Sequence, residues 1–251
     1  MIARLPTEKL RKYGQSIESL LASKTTTLRE VQSTIGKLHF ATCVIPIGKP
    51  FLRRLIDATK GRTVNSAINI GSEMRADLLI WRSFLSSYNG ISVITSFQPC
   101  DSHQIGLFSD ASNTGFAGIY ASSWIQGKWN DSWRDLNIAV RELYPIVALT
   151  FMFGHLWRNH SITLNCDNQA IVAVINKHSA RDPTIMTLLR PLILTLMTNN
   201  IKFKAVYIPS KENVIADAIS RFQEDAPLLQ YYGMKPSPTP VPQHLRPDAF
   251  I

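Results

Sequence analysis

Ile105-Gly106-Leu107-Phe108-Ser109-Asp110 and Ile162-Thr163-Leu164-Asn165-Cys166-Asp167 are the two stretches that decide the fold of this chain. Each is rich in residues that favour strands, and each ends on an aspartate followed by turn-forming residues or a helix signal. The sequence therefore predicts two strands that carry Asp110 and Asp167 at their ends.

Two further acids fall on predicted helices. Glu142 opens a long apolar helical stretch, and Asp217 lies inside the last amphipathic one. Acids at adjacent strand ends can converge with acids from two helices and hold hard divalent cations, and a pair of such cations is a recurring device for phosphodiester hydrolysis. Taken singly, each acid is better explained as a turn-forming, helix-start or solvated group. Jointly they favour a functional site.

The periodicity around these acids predicts a mixed α/β domain. Alternating stretches over 104–110, 115–121 and 124–129 predict a three-stranded meander. Helical and strand-like patterns then alternate: a long helix to about Trp157, a strand over 161–167, helices over 168–177 and 183–200, a strand over 201–208 and a helix over 210–222. Strands followed by alternating helices and strands predict a mixed five-stranded sheet flanked by helices.

The rest of the chain has a different character. Residues 1–98 are predicted to be a mainly helical module, in which Thr27-Leu28-Arg29-Glu30 is a capping box that opens a helix. The mixed domain is expected over 101–223. The remaining residues, 224–251, contain Pro-Ser-Pro-Thr-Pro-Val-Pro and predict a flexible proline-rich tail.

Composition excludes several classes of protein. A hydrophobic share of 45% in 251 residues and a mean hydropathy near zero indicate a globular chain rather than a disordered or membrane protein. The longest apolar stretch, 146–153, is too short to span a bilayer, and no apolar signal segment follows Met1. Cys43, Cys100 and Cys166 are odd in number and lack C-x-x-C spacing, which fits an intracellular location and argues against a structural metal.

The net charge of +9 is concentrated in the first part of the chain. Residues 1–100 hold 14 lysines and arginines against 6 acids, whereas residues 101–223 hold 11 against 9. This pattern suggests a polyanion that is held by one part and processed by the other. A solvated helical surface explains the charge equally well.

Strings around the acids resemble the ribonuclease H domain of retrotransposon reverse transcriptases, of the DIRS type and next of the gypsy type. Upstream strings are similar to the thumb and connection that follow the polymerase palm, and the matches together cover roughly residues 5–223. The ribonuclease H strings are Ser109-Asp110-Ala111-Ser112, Arg141-Glu142-Leu143-Tyr144-Pro145-Ile146, Cys166-Asp167-Asn168-Gln169-Ala170 and Asn213-Val214-Ile215-Ala216-Asp217-Ala218-Ile219-Ser220-Arg221. The upstream strings are Thr27 to Ser33, Gly36 to Phe40 and Phe51 to Asp57.

The resemblance implies an endonuclease that cuts the RNA strand of an RNA–DNA hybrid with two Mg²⁺ ions, for which Mn²⁺ is an alternative. Asp110 and Asp167 would be shared ligands, while Glu142 would complete one cation site and Asp217 the other. The expected partners are the hybrid and a polymerase part of the same element protein, with no membrane. The expected location is the nucleus or a cytoplasmic element particle.

Several polar and basic residues are candidate substrate contacts, although capping or solvation explains each equally well. Ser112 and Asn113 are placed to meet the 2′-hydroxyls that distinguish RNA from DNA. By resemblance Gln169 would reach the minor groove and Asn137 a DNA phosphate. The basic Arg53 and Arg54 would hold the polyanion. The aromatic residues Trp124, Trp129 and Trp133 are expected either to cover a groove or to pack in the core.

One position departs from the family. Many ribonucleases H carry a histidine six residues before the asparagine aligned with Asn213, and here that position is Tyr207. Tyrosine cannot shuttle protons near neutral pH as imidazole can. The nearby His178 either compensates or belongs to a solvated basic loop.

Two alternatives to an active nuclease remain open. The first is a catalytically silent, nucleic-acid-binding remnant of the same element protein. The second is a transposase or integrase of the same broad fold, which the upstream resemblance disfavours. The first hundred residues show no Asp-Asp pair of the polymerase type. The chain is therefore expected to correspond to the C-terminal part of such a protein, either as a fragment or as a separate product.

Overall fold

The computed structural model describes residues 4–87 and 106–250. The chain divides into two compact units, Met1–Ser96 and Phe97–Ile251. The boundary predicted between residues 98 and 101 lies outside the described residues. Within the described ranges, no helix has both the length and the apolar character needed to cross a bilayer.

The first unit is mainly helical, as predicted. Its capping box is confirmed: the Thr27 hydroxyl accepts the Glu30 N–H at 3.2 Å, and the Glu30 carboxylate accepts the Thr27 N–H at 3.1 Å. A small antiparallel sheet was not predicted, since strands of three residues are too short to show alternation. The elements are α1 (Thr7–Ala22), β1 (Thr25–Thr27), α2 (Leu28–Ala41), a 3-10 helix (Pro46–Leu52), α3 (Arg53–Thr59), β2 (Ala67–Asn69) and α4 (Ser72–Ser87).

The core of this unit is closed by aromatic residues. Phe84 meets both Phe51 and Trp81 edge-on, with ring centroids 5.4 and 5.7 Å apart. Gly48 lies against the Trp81 ring, where an added Cβ would come within 2.5 Å of it. A side chain at residue 48 would therefore push α4 away from the 3-10 helix.

The second unit is built on a mixed five-stranded sheet of order β5-β4-β3-β6-β7, which confirms the predicted fold class. The three strands of the meander pair antiparallel, and β6 and β7 run parallel to β3. The strands are β3 (Leu107–Ala111), β4 (Gly115–Tyr120), β5 (Ser123–Lys128), β6 (Ser161–Cys166) and β7 (Lys202–Tyr207).

Five of the six α-helices described in this unit follow a residue whose side chain accepts hydrogen bonds from N–H groups of the first turn; the helix Val214–Ser220 is the exception. The Asp182 carboxylate accepts the N–H groups of Thr184 and Ile185, with Pro183 next to it, as the sequence predicted. The helices are α5 (Asp131–Arg134), α6 (Ile138–Phe153), α7 (Gln169–Lys177), α8 (Pro183–Thr198), α9 (Val214–Ser220) and α10 (Ala226–Tyr231).

Glu142 does not open the long helix. Helix α6 begins at Ile138, four residues before Glu142, because the Asn137 side chain caps it by accepting the Ala139 N–H at 2.9 Å. Pro145 therefore lies inside the helix and not in its first turn. Proline has no N–H, so it offers none to the carbonyl of Arg141.

In its described part, the segment predicted to be a flexible tail makes defined contacts with the rest of the second unit. Leu229 and Leu245 are buried, and the Tyr144 hydroxyl donates to the Leu245 carbonyl at 2.8 Å. The N–H of Lys235 donates to Ser122 O at 2.9 Å. Proline has no backbone N–H that must find an acceptor. A proline-rich segment can therefore lie against a sheet through a few hydrogen bonds and apolar contacts.

Of the two alternatives for the tryptophans, a groove cover or core packing, the structure shows core packing. Trp124, Trp129 and Trp133 are at most 2% exposed. Trp129 and Trp133 stack with their centroids 5.2 Å apart, and both meet the ring of Tyr144 edge-on. These residues hold α6 against the sheet, which fixes the helix that carries Glu142.

Candidate active site

The sheet register brings Asp110 and Asp167 to the same level. Parallel strands β3 and β6 pair Phe108 with Asn165. Two residues further along each strand are Asp110 and Asp167. Asp110 is 4% exposed, and one oxygen of Asp167, Oδ1, is buried without a hydrogen-bond partner among the described residues. The two central strands thus deliver two carboxylates to one end of the sheet.

Glu142 reaches this end of the sheet from α6. Its side chain is 6% exposed, and its Oε2 atom has no hydrogen-bond partner in the described structure. Burial, followed by the charges of Asp110 and Asp167, raises the pKa of Glu142 to about 9, against a smaller lowering by the Ala111 N–H. A metal-free site at neutral pH therefore keeps Glu142 protonated.

The carboxyl group of Asp110 is perturbed in the same direction. Burial is the largest cause, and the charges of Asp167 and Asp217 add to it, so its pKa rises to about 6. The hydroxyl of Ser220 donates to Asp110 Oδ2 at 2.5 Å and opposes the rise. The ionised form of Asp110 is thus stabilised by a residue of α9.

Asp217 is partly exposed. Its side chain is 41% exposed and accepts from Arg221 Nε at 2.8 Å, one helical turn later. Helix α9 is anchored by Ile215 and Ile219, which pack on β4 and β5 in one apolar cluster. Asp217 is therefore fixed at the edge of the site while its carboxylate stays open to solvent.

The donor set fits hard divalent cations. Ligand atoms of Glu142, Cys166 and Asp167 all lie within 4.8 Å of one another. Like-charged carboxylates in a buried site raise one another's pKa, and a cation removes that repulsion. The unpartnered oxygens of Glu142 and Asp167 are free to bind a cation.

The four predicted substrate contacts near the acids fall into two groups. The Ser112 hydroxyl is buried, donates to Ser220 O at 2.8 Å and accepts the N–H groups of Thr114 and Gly115. A contact between this hydroxyl and a substrate would break one of those bonds. Exposed side chains are found instead at Asn113, Asn137 and Gln169, the second of which also caps α6.

Arg53 and Arg54 are engaged within the first unit. Arg53 forms a two-pronged ion pair with Asp57, at 2.9 and 3.0 Å. Arg54 pairs with Glu73 and with Asp77, whose side chain is 1% exposed. Because Arg54 neutralises the buried carboxylate of Asp77, it has a structural role within the first unit, and its contact with a polyanion stays a prediction.

Other cations of the first unit line a groove between α1 and α2. Its α1 wall contains Lys12 and Ser16, and its α2 wall contains Arg29, Ser33 and Lys37. The Lys37 ammonium donates to the Ser16 hydroxyl at 2.5 Å. The groove therefore carries three cationic side chains, those of Lys12, Arg29 and Lys37, beside the carboxylate of Glu30.

The predicted modulators lie in different settings. Tyr207 ends β7 and is 43% exposed. His178 closes α7 in a left-handed conformation, with φ 53°. Asn213 is buried and donates from Nδ2 to Ser109 O at 3.0 Å, which ties the start of α9 to the strand that bears Asp110.

Two residues of the site were not predicted as participants. Ser220 follows Asp217 by three residues, which places both on one helical face, but its bond to Asp110 spans 110 positions of the chain. Arg141 is 8% exposed and donates weakly to Ser112 O and Asn113 Oδ1, both at 3.4 Å. The signal available in the sequence for Arg141 was a basic residue directly before Glu142.

Comparison with known proteins gives structural likenesses only. No protein-family model and no curated protein matches the chain. RNase H1 of the archaeon Halobacterium salinarum NRC-1 is similar over 47% of this chain and 96% of its own, with 12% identity and a TM-score of 0.38. LC11-RNase H1 from compost has the same coverages, 17% identity and a TM-score of 0.34.

A foamy viral protease–reverse transcriptase, in a complex with double-stranded DNA, is similar over a longer stretch. It matches 82% of this chain and 35% of its own length, with 16% identity and a TM-score of 0.32. The strand order and flanking helices of the second unit agree with the predicted ribonuclease H-like fold class.

Proposed function

We propose that this chain is a divalent-cation-dependent endoribonuclease that hydrolyses the RNA strand of RNA–DNA hybrids. The observation that carries the proposal is the convergence of acids from two neighbouring strands and two helices. Burial and mutual charge raise the pKa of Asp110 to about 6 and that of Glu142 to about 9. Two acids with raised pKa values, next to carboxylate oxygens without hydrogen-bond partners among the described residues, form a site that favours bound cations.

The protein's own residues would hold and orient the reacting groups. Asp110, Glu142, Asp167 and Asp217 would hold the cations. Ser220 restrains Asp110, and Arg221 restrains Asp217. When bound, the cations would supply an activated water and stabilise the charge on the leaving oxygen.

Selection of the hybrid would come from the loops that follow the acids. Asn113 follows Asp110 by three residues, and Gln169 follows Asp167 by two. Both side chains are exposed and can exchange hydrogen bonds with sugar hydroxyls or base edges. The basic groove of the first unit would add contacts to phosphates.

The proposed biological context follows the resemblance of the sequence. The chain would be the C-terminal part of a retrotransposon reverse transcriptase and would act beside its polymerase part. Its location would then be the nucleus or a cytoplasmic element particle. Mg²⁺ would be the working cation, with Mn²⁺ as a substitute, because all four acids offer hard oxygen ligands.

The deciding experiment is cleavage of a labelled RNA–DNA hybrid in Mg²⁺, with double-stranded DNA and single-stranded RNA beside it. We expect cuts in the RNA of the hybrid, and loss of cleavage when a chelator removes the cation. Asp110→Asn should reduce cleavage to background while leaving the fold intact, since the amide keeps the shape without the charge.

Asp131→Asn is the matched control, because Asp131 is 98% exposed on α5 and should tolerate the same change. Equal cleavage by the parent and Asp110→Asn would overturn the site. A parent protein that binds hybrid without cutting it would instead support the silent remnant. Cleavage of double-stranded DNA would support a transposase-like enzyme.

A further inference from the structure

The thiol of Cys166 lies inside the acid site. Cys166 is the last residue of β6 and is buried, directly before Asp167. Its sulfur has only weak local contacts, accepting the Asn168 N–H at 3.4 Å and lying 3.9 Å from the Asn168 carbonyl oxygen. Little in the described structure holds this sulfur away from a cation.

Two carboxylates face the same space. Ligand atoms of Glu142, Cys166 and Asp167 come within 4.8 Å of one another. Glu142 is 6% exposed, and its Oε2 has no hydrogen-bond partner among the described residues. A buried, unpartnered oxygen beside a thiol is an independent sign that this space suits a cation, because such an atom is costly to bury unpaired.

The chemical softness of sulfur distinguishes this set of donors from an all-oxygen site. Mg²⁺ binds oxygen ligands, whereas thiolate ligands select Zn²⁺ and similar thiophilic cations. Zn²⁺ takes three protein ligands and an open position, with bonds of about 2.3 Å to sulfur and about 2.0–2.2 Å to carboxylate oxygen. Ligand atoms spaced within 4.8 Å need only a small contraction to reach such a geometry.

We propose that Glu142, Cys166 and Asp167 form a binding site for a thiophilic divalent cation, Zn²⁺ or Cd²⁺. Binding forms a metal–sulfur bond, and the proton of the thiol leaves to solvent. The site shares Glu142 and Asp167 with the proposed Mg²⁺ site, so the two kinds of cation compete. A thiophilic cation held through sulfur would then block the hard-cation site.

The test is a Cd²⁺ titration of the metal-free full chain, read by the ultraviolet thiolate-to-Cd²⁺ charge-transfer band. A Cys43→Ser, Cys100→Ser background leaves Cys166 as the remaining thiol of the chain. We expect the band to appear with one Cd²⁺ per chain and to vanish when Cys166→Ser or Cys166→Ala is added. Two replacements are used in case one variant fails to fold, and circular dichroism will show whether each variant is folded.

Glu142→Gln keeps the thiol but removes one ligand, and should weaken Cd²⁺ binding by about ten- to a hundredfold or more. Millimolar Mg²⁺ should also weaken it. Absence of the band in the Cys166-only background would overturn the proposal, as would an unchanged Cd²⁺ affinity in Glu142→Gln. The band does not depend on hybrid cleavage, so an inactive protein that shows it refutes only the proposed nuclease function.

Discussion

A carboxyl group such as that of Glu142, buried beside other acids, makes the stability of the metal-free fold depend on pH. Its pKa rises from 4.5 to about 9 on folding. Between these values the folded state keeps a proton that the unfolded chain releases. The free energy of unfolding therefore falls as pH rises through this window, and no penalty exists below about pH 4.

Glu142→Gln removes this titration while keeping the side-chain shape. Without metal, we expect its free energy of unfolding near pH 8 to exceed that of the parent by on the order of 2 kcal/mol, with no such gain near pH 4. Urea unfolding at the two pH values measures the difference. The exposed Glu212→Gln serves as the control. A variant less stable than the parent at the higher pH would show that Glu142 is ionised and paired.

Ser220 offers a second prediction at this scale. Its hydroxyl stabilises ionised Asp110, and a hydrogen bond to a charged group contributes about 1.5–3 kcal/mol. Ser220→Ala should therefore raise the pKa of Asp110 further and lower cleavage about tenfold near pH 6, with recovery at higher pH. A pH–rate profile measures the shift, and exposed Ser210→Ala is the control. An equal loss at every pH would mean a structural role.

The four acids could be proposed from the sequence because each occupies a short motif on a recognisable element. Ser220 could not, since its partner Asp110 is distant in sequence and only the packing of α9 brings the two together. The indole of Trp129 likewise donates to the Ser112 carbonyl at 3.0 Å, although sequence alone left this residue between groove and core. Local sequence patterns identify candidate residues, whereas hydrogen bonds between distant parts of the chain leave no local pattern.

At the scale of elements, α10 and the segment after it support two of the acid-bearing helices. Leu229 joins the apolar cluster that anchors α9, the helix of Asp217. The Leu245 carbonyl accepts from Tyr144 on α6, the helix of Glu142. Proline content predicted a free tail here because composition reports the lack of regular structure and says nothing of the surface that a segment covers.

Leu229→Ala tests this support. Truncating a buried leucine costs about 2–5 kcal/mol, and the cavity would lie under α9. We expect reduced stability together with weaker cation binding through Asp217. Tyr231→Ala, on the exposed side of α10 at 83% exposure, is the matched control and should change neither. Equal stability of the two variants would mean that α10 contributes nothing to the site.

At the scale of the whole molecule, the positive charge and the acids belong to different units. Some cations of the first unit pair with its acids, as Arg54 does with Asp77. The remaining cations of the α1–α2 groove are the candidates for phosphate binding. The Arg54–Asp77 pair spans 23 positions of the chain, so it has no local signature in the sequence.

Replacing Lys12, Arg29 and Lys37 together by glutamine tests the groove. Log affinity for the hybrid falls linearly with log salt concentration. For each phosphate that the variant no longer neutralises, this slope should become less steep by roughly 0.7–0.9. Fluorescence anisotropy at several salt concentrations gives the slope. A triple glutamine variant at exposed Lys24, Lys49 and Arg62 removes the same charge elsewhere. Equal slopes for the two variants would assign the effect to net charge and not to the groove.

The segment after α10 has a further consequence, for solubility. Strand β5 is at the rim of the sheet, and the N–H groups of Lys235 and Thr239 donate to the carbonyls of Ser122 and Trp124 beside it. An uncovered edge strand can pair with the edge strand of another copy and start aggregation. A protein truncated after α9 would expose those carbonyls. If that truncated protein self-associates, the cause would be the uncovered edge strand and not a misfolded core.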